Sequence, residues 1–314
     1  MPSTRLPKIL ADYQNGNTSV CLYDNGTKDR SWSRNEQPKS AFPDSIDLKI
    51  TDYCDAGCEF CHESSTVKGR HAKPEVIYDI LSDIPEKIEL AIGGGDPFSH
   101  PQFEEILREL SKRFICNVTV NSQHIARSRD RILRYWADNL IYGLGISVSG
   151  SIEFEPEIYD VLTHKTVLHV IAGLTHPNDV IQWYKNVHDK ILVLGYKNYG
   201  RGVSCGQANN NLIDNNLSAW RYFLPQVIRH FNLAFDNLAI SQLRVRDQVD
   251  SYDYDRFYQG PDGSHSMYVN AVNDTFALSS TKPRIKRNNR SILECFNVIS
   301  QPDATGELIQ IKEA

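Results

Sequence analysis

Three of the seven cysteines in this 314-residue chain, Cys54, Cys58 and Cys61, fall within eight consecutive positions of the segment TDYCDAGCEFCHE. Thiolates are soft ligands that select zinc, copper(I) or iron-sulfur clusters. A structural zinc site takes four protein ligands. The obvious fourth, His62, is adjacent to Cys61, a spacing that makes joint tetrahedral ligation by the two awkward. Three thiolates on a four-iron cluster leave one iron without a protein ligand. That corner is open to a substrate or cofactor, by the logic that separates catalytic from structural zinc. Cys21, Cys116, Cys205 and Cys295 stand singly and carry no interpretable spacing.

A second segment, AIGGGDPFSHPQF at residues 91–103, combines backbone access with a charge. Gly93, Gly94 and Gly95 let the main chain approach a ligand without side-chain obstruction, and the Asp96 carboxylate can pair with an ammonium group. The plainer alternative is a tight strand-to-helix turn stiffened by Pro97.

These residues need a scaffold, and the sequence supplies an alternation. SIDLKITDYC is strand-like, with Ile46, Leu48 and Ile50 on one face. KPEVIYDILSDI then places Val76, Ile77, Ile80, Leu81 and Ile84 at helical spacing behind Pro74. The pattern recurs in KIELAIGGGDP with HPQFEEILRELSKR, CNVTVNS with ARSRDRILRYWADN, YGLGISVSG with a shorter helix, TVLHVIAGL with NDVIQWYKNVHDK, and KILVLGYKN with NLSAWRYFLPQVIRHF. Serial strand-helix units build a parallel sheet through right-handed crossovers, and six or more can curl into a full or partial TIM-like (β/α) barrel. A barrel is favoured because its strand ends converge on one mouth, and the unusual residues follow strands. The expected organisation is a hairpin and connector over residues 1–44, with the hairpin at 10–32 turning on Asp24-Asn25-Gly26, a barrel core over 45–235, and a C-terminal extension over 236–314. In that extension NLAISQLRV and SMYVNAV read as two further strands.

Composition sets outer bounds. Hydrophobic residues at 40% and charged residues at 23% are ordinary for a soluble globular protein. No apolar run approaches the roughly 20 residues that span a bilayer. The N-terminus lacks the apolar core and cleavage site of a secretory signal, so a reducing cytoplasm without disulfides is expected. A net charge of -5 gives no whole-protein reason to expect nucleic acid. TKPRIKRNNR, with five basic residues in ten, can meet phosphates or an acidic peptide, the alternative being a charged mobile loop. GYKNYGRGVSCGQ offers Lys197, Arg201 and Cys205, with a glycine-rich surface loop as the alternative.

The C-x3-C-x2-C spacing, with the aromatic Phe60 just before the last cysteine, resembles the signature of the radical S-adenosylmethionine (radical SAM) enzymes. The resemblance implies that Cys54, Cys58 and Cys61 bind a 4Fe-4S cluster, that the methionyl group of SAM chelates the fourth iron, and that the fold is a full or partial βα barrel. The Gly93–Pro97 segment resembles the family's Gly-Gly-Glu-Pro stretch, which receives the SAM amino group. Asp96 stands where Glu is common and is one methylene shorter, which shifts the expectation toward backbone contact. Asn121, Ser147 and Ser149 match places where family members hydrogen-bond SAM. The two serines would share a strand face opposite Ile146 and Val148, and packing or capping is their alternative role. The implied chemistry is reductive cleavage of SAM to a 5'-deoxyadenosyl radical that abstracts hydrogen from a substrate, a small metabolite, nucleotide or peptide. An external one-electron donor such as flavodoxin or ferredoxin is implied as partner. The resemblance covers about residues 45–200, so specificity is expected from the N-terminal hairpin and the segment after 236. The rival from another class is a non-catalytic zinc-binding or interaction protein using the same three cysteines.

Overall fold

The computed structural model describes residues 6–84, 87–149, 165–186 and 190–300. It opens with three short strands, β1 (Ile9–Asn15), β2 (Thr18–Tyr23) and β3 (Lys28–Ser31), which form an antiparallel meander in the order β1-β2-β3. This corrects the expected hairpin by one strand. The turn at Asp24-Asn25-Gly26 is as read. However, Gly16, at positive φ, makes an earlier turn whose added Cβ would lie 2.0 Å from the Lys39 carbonyl oxygen.

The main sheet begins with β4 (Ser45–Thr51) and continues through β5 (Glu89–Gly94), β6 (Ile115–Asn121), β7 (Gly143–Val148), β8 (Thr166–Ile171), β9 (Lys190–Leu194) and β10 (Asn232–Phe235). All seven are parallel and neighbour one another in chain order. The register aligns Leu48 with Ile92, Ile92 with Val118, and Val118 with Leu144, so one face of the sheet is a buried apolar band against the helices. The other face carries Lys49, Gly93, Thr119, Asn121, Gly145 and Ser147 and is turned inward. The helix Phe103–Leu110 shows the packing logic: Phe103, Ile106, Leu107 and Leu110 form the expected stripe and are all buried. Each such side chain contributes about 1.5–3 kcal/mol by leaving water.

β11 (Ser266–Asn270) joins the free edge of β4 in parallel, followed by antiparallel β12 (Thr275–Ala277) and β13 (Ile285–Lys286). The sheet therefore runs from β10 to β13 as a partial barrel, not a closed one. SMYVNAV is a strand as expected, but NLAISQLRV is not. Residues Asn237–Leu243 are helical, because the Asp236 carboxylate accepts the Ala239 N–H at 2.7 Å as an N-cap, and Ala239 and Leu243 bury one face. The basic stretch also departs from the mobile-loop alternative: it forms β13, and Arg287 is buried in ion pairs with Asp79 and Asp274. The helix expected after YGLGISVSG and the last 14 residues of the extension lie outside the described residues. Among the described residues, no helix is long and apolar enough to cross a membrane.

The N-terminal meander docks where the barrel strands start. Arg30 and Lys28 converge on buried Asp44, just before β4, and Lys28 also reaches Glu89 at the start of β5. That is the end opposite the cysteine loop.

Candidate functional site

The cysteine loop leaves β4 without regular secondary structure, so its backbone groups need partners supplied from elsewhere. The Cys54 N–H donates to the Thr66 carbonyl (3.0 Å), and the Cys61 N–H to the Cys58 carbonyl (3.2 Å). Arg201 acts as a clamp. Its backbone N–H donates to the Cys61 carbonyl (3.1 Å), its Nε to the Cys58 carbonyl (3.0 Å), and its Nη1 to the Ser65 carbonyl (2.8 Å). Phe60 packs partly buried against the main core and anchors the loop from below. All three cysteines remain partly exposed free thiols. Burial pushes the Cys54 and Cys58 thiols up, and the neighbouring cysteines add to the rise. The Asn121 amide, at the end of β6, donates to Cys58 Sγ at 3.5 Å, which favours the thiolate.

The glycine segment lies directly against this loop. The Gly95 N–H donates to the Thr51 carbonyl and the Asp96 N–H to the Tyr53 carbonyl, each at 2.7 Å. An added Cβ would fall 2.0 Å from the Tyr53 oxygen at Gly95 and 2.4 Å from the Thr51 oxygen at Gly94, where φ is +118°. These two glycines are needed for the loops to touch. Gly93 differs: the nearest atom to its would-be Cβ is Thr119 Cβ at 4.0 Å, so its inward side is open. Asp96 is turned away from that space. Its carboxylate caps Phe98 N–H (3.1 Å) and accepts from Ser99 Oγ (2.6 Å) and Arg127 Nη2 (2.7 Å). Pro97 opens the short 3-10 turn that follows. Ser147 points inward from β7, whereas Ser149 lies beyond the strand end and is exposed, so the two do not share a strand face.

Sequence reading missed two clusters. Arg127 bridges Asp96 and Asp55, and His124 Nε2 also reaches Asp55 at 2.9 Å, tying the cysteine loop to the glycine turn. On the inward side, Lys49 pairs with Asp52 (2.6 Å) and Glu63 (2.5 Å), while Glu63 also accepts from Tyr268 Oη (2.9 Å) and Arg284 Nη2 (3.2 Å). Burial pushes the Glu63 carboxyl up, but Lys49, His62 and Arg284 outweigh it and hold it at about 2. The available signal was Asp47 and Lys49 alternating with Ile46, Leu48 and Ile50, which marks a strand with a charged inner face.

A single zinc with bonds near 2.3 Å needs its sulfurs within about 4 Å of one another. Among the described residues, the triad whose ligand atoms lie within 4.8 Å of one another is Asp55, Asp96 and His124, not the three cysteines. His62 sits 3.5 Å from Glu63. Its pKa is lowered to about 3 by burial and by Lys197, opposed by Glu63, so the ring belongs to the inward charge cluster. The three thiols share one loop, and Gly93 leaves open space beside it.

A parallel βα partial barrel with three cysteines and a glycine turn at its strand ends defines a cofactor-dependent enzyme class. The radical SAM superfamily profile matches residues 48–191 of the chain, and the enzymes of that superfamily use a 4Fe-4S cluster and SAM. No curated protein sequence matches the chain. Among solved structures, SuiB of Streptococcus suis bound to the precursor peptide SuiA is similar at 14% identity and a TM-score of 0.53, over 87% of this chain and 68% of that one. SuiB bound to S-adenosylmethionine aligns at 15% identity and a TM-score of 0.51, over 82% of this chain and 66% of that one. Native anSMEcpe with bound AdoMet aligns at 12% identity and a TM-score of 0.51, over 80% of each chain. At these identities the likeness is one of fold. The chain spans about two thirds of the length of SuiB.

Proposed function

We propose that Cys54, Cys58 and Cys61 hold a 4Fe-4S cluster, that the Gly93–Pro97 segment with Asn121, Ser147 and Ser149 forms the SAM side of the site, and that the chain is a radical-generating enzyme. The observation that carries this is the donor set: three thiols on one clamped loop, with His62 engaged by Glu63. Bound there, a cluster and SAM would supply reductive one-electron cleavage of the sulfonium and, through the adenosyl fragment, abstraction of a hydrogen atom from a substrate carbon.

The protein's own part is positional. Arg201 fixes the carbonyls of Cys58 and Cys61 and so holds the backbone of the cysteine loop in place. Asn121 offers a donor to Cys58. Since Asp96 already accepts from three internal donors, contact with the SAM ammonium falls to the backbone carbonyls of the glycine turn. The raised thiols of Cys54 and Cys58 must lose protons on loading, which therefore improves as pH rises. The electron comes from an external one-electron donor of the flavodoxin or ferredoxin kind.

Anaerobic purification tests this directly. A brown protein with about four irons per chain that forms 5'-deoxyadenosine after reduction supports the proposal. Stoichiometric zinc without cleavage supports the zinc-binding rival.

A further inference from the structure

Beside the tail of the cysteine loop opens a cavity of about 820 Å³, lined in part by His62, Glu63 and Ser64. Its floor is a single row of the sheet. Lys49 of β4 stands opposite Asn270 of β11, Asn270 opposite Thr275 of β12, and Thr275 opposite Lys286 of β13. Directly opposed residues on adjacent strands present their side chains on one face, and all four line the cavity together with Arg284 and Arg290.

The charges in this row are unevenly matched. Asp52 and Glu63 are the carboxylates in the lining, and both hold Lys49, while Glu63 also takes Arg284. Lys286 donates to the Asn273 carbonyl (3.1 Å) and Arg290 to the Lys286 carbonyl (3.3 Å), so both cations meet backbone oxygen instead of a carboxylate. Two donors in the same wall have no partner at all: the Oγ1 of Thr275, a residue only 8% exposed, and Nη1 of Arg284. Buried donors left unpaired are costly, and a small side-chain shift that turns these enclosed donors onto an incoming oxygen relieves that cost. Arg284 is itself fixed, stacked 3.7 Å from the Tyr268 ring centroid.

We infer that this cavity binds the phosphate monoester group of a small-molecule substrate, through Thr275, Arg284 and Lys286. A tetrahedral dianion presents oxygens in several directions, matching donors that converge from β12, β13 and the residue before β13, and it answers the surplus of positive charge. The volume lies within the range of small-molecule sites and suits a metabolite. Calling the ligand a substrate rests on the radical SAM reading, since the cavity adjoins residues that directly follow Cys61. The binding site itself does not rest on it.

The test is calorimetric titration of the cluster-reconstituted full chain with inorganic phosphate, with glycerol phosphate and acetate as parallel probes. Saturable binding of both phosphates is expected, weakening as salt rises. Loss of one charge-assisted or buried hydrogen bond in Arg284→Met, Thr275→Val or the exposed Lys286→Met should weaken it by about tenfold. Thr275→Val keeps the side-chain shape and Lys286→Met lies at the surface, so a folded variant is available if Arg284→Met misfolds. Acetate binding as tight as phosphate, or phosphate affinity unchanged in the folded variants, overturns the inference. No saturable phosphate binding to a protein that forms 5'-deoxyadenosine sinks this site alone. Phosphate binding by wild type that holds no iron and forms no 5'-deoxyadenosine sinks the radical reading alone.

Discussion

The two ends of the barrel are both polar and are built on opposite terms. At the end where strands begin, fully buried Asp44 accepts from Arg30 Nε and Nη2, each at 2.8 Å, and from Lys28 Nζ at 3.2 Å. Burial pushes its carboxyl up, but Lys28 and Arg30 more than compensate and hold it low. Nearby Asn15, also fully buried, donates to the Phe42 carbonyl and accepts the N–H groups of Ala41 and Phe42. At the end where strands finish, thiols stand free, Gly93 faces open space, and Thr275 Oγ1 and Arg284 Nη1 lack partners. Satisfied polar groups fasten the meander to the barrel at one end, while around the cysteine loop the pairing is only partial.

The sharpest way to separate the ends is to damage each once. Cys58→Ala should reduce bound iron and 5'-deoxyadenosine formation to background, a drop of about a thousandfold or more. The urea midpoint of the metal-free protein should hardly move, because Cys58 is partly exposed. Asp44→Ala should do the reverse. It leaves the half-buried Arg30 without its carboxylate, while Lys28 keeps Glu89, and should cost about 3 kcal/mol of stability by urea unfolding, with iron per folded chain unchanged. If Asp44→Ala proves as stable as wild type, the contrast between the ends fails.

Gly95→Ala probes the contact between the two loops. Its new Cβ would meet the Tyr53 oxygen, with an expected loss of about 1–3 kcal/mol in stability and weaker iron loading under a fixed iron and sulfide supply. The smallest effect is expected midway between the ends. Burial, with a smaller contribution from Lys197, lowers the His169 pKa to about 4. Because the folded value lies below the unfolded one, the stability His169 confers is complete above about pH 6.5 and is lost as pH falls toward 4. His169→Asn should abolish about 1 kcal/mol of acid sensitivity between pH 7 and pH 5.5, read from urea midpoints at the two pH values.

Linear motifs and periodic strands were legible because their signal is local. The cysteine triad, the glycine turn and the apolar face of β4 can all be read from a few adjacent residues. What escaped depends on distant partners. β3, with sequence KDRS, has no apolar alternation and is a strand only because it pairs with β2. NLAISQL carries apolar residues that fit either period, and the Asp236 cap decides for helix. Arg284 and Glu63 are 221 positions apart in the chain yet pair in space, a meeting no short window contains. Asp96 was read for its charge, while the fold uses that charge on Phe98, Ser99 and Arg127.

Gly94 and Gly95 also bear on transplantation. With the amides of Gly95 and Asp96 and the missing side chains of Gly94 and Gly95 laced into the carbonyls of Thr51 and Tyr53, the eight-residue cysteine stretch is not a self-sufficient cassette. An engineer moving it to another barrel would have to carry the glycine hairpin-bend along as its bedplate, or receive a ring of sulfurs with nothing to keep it level.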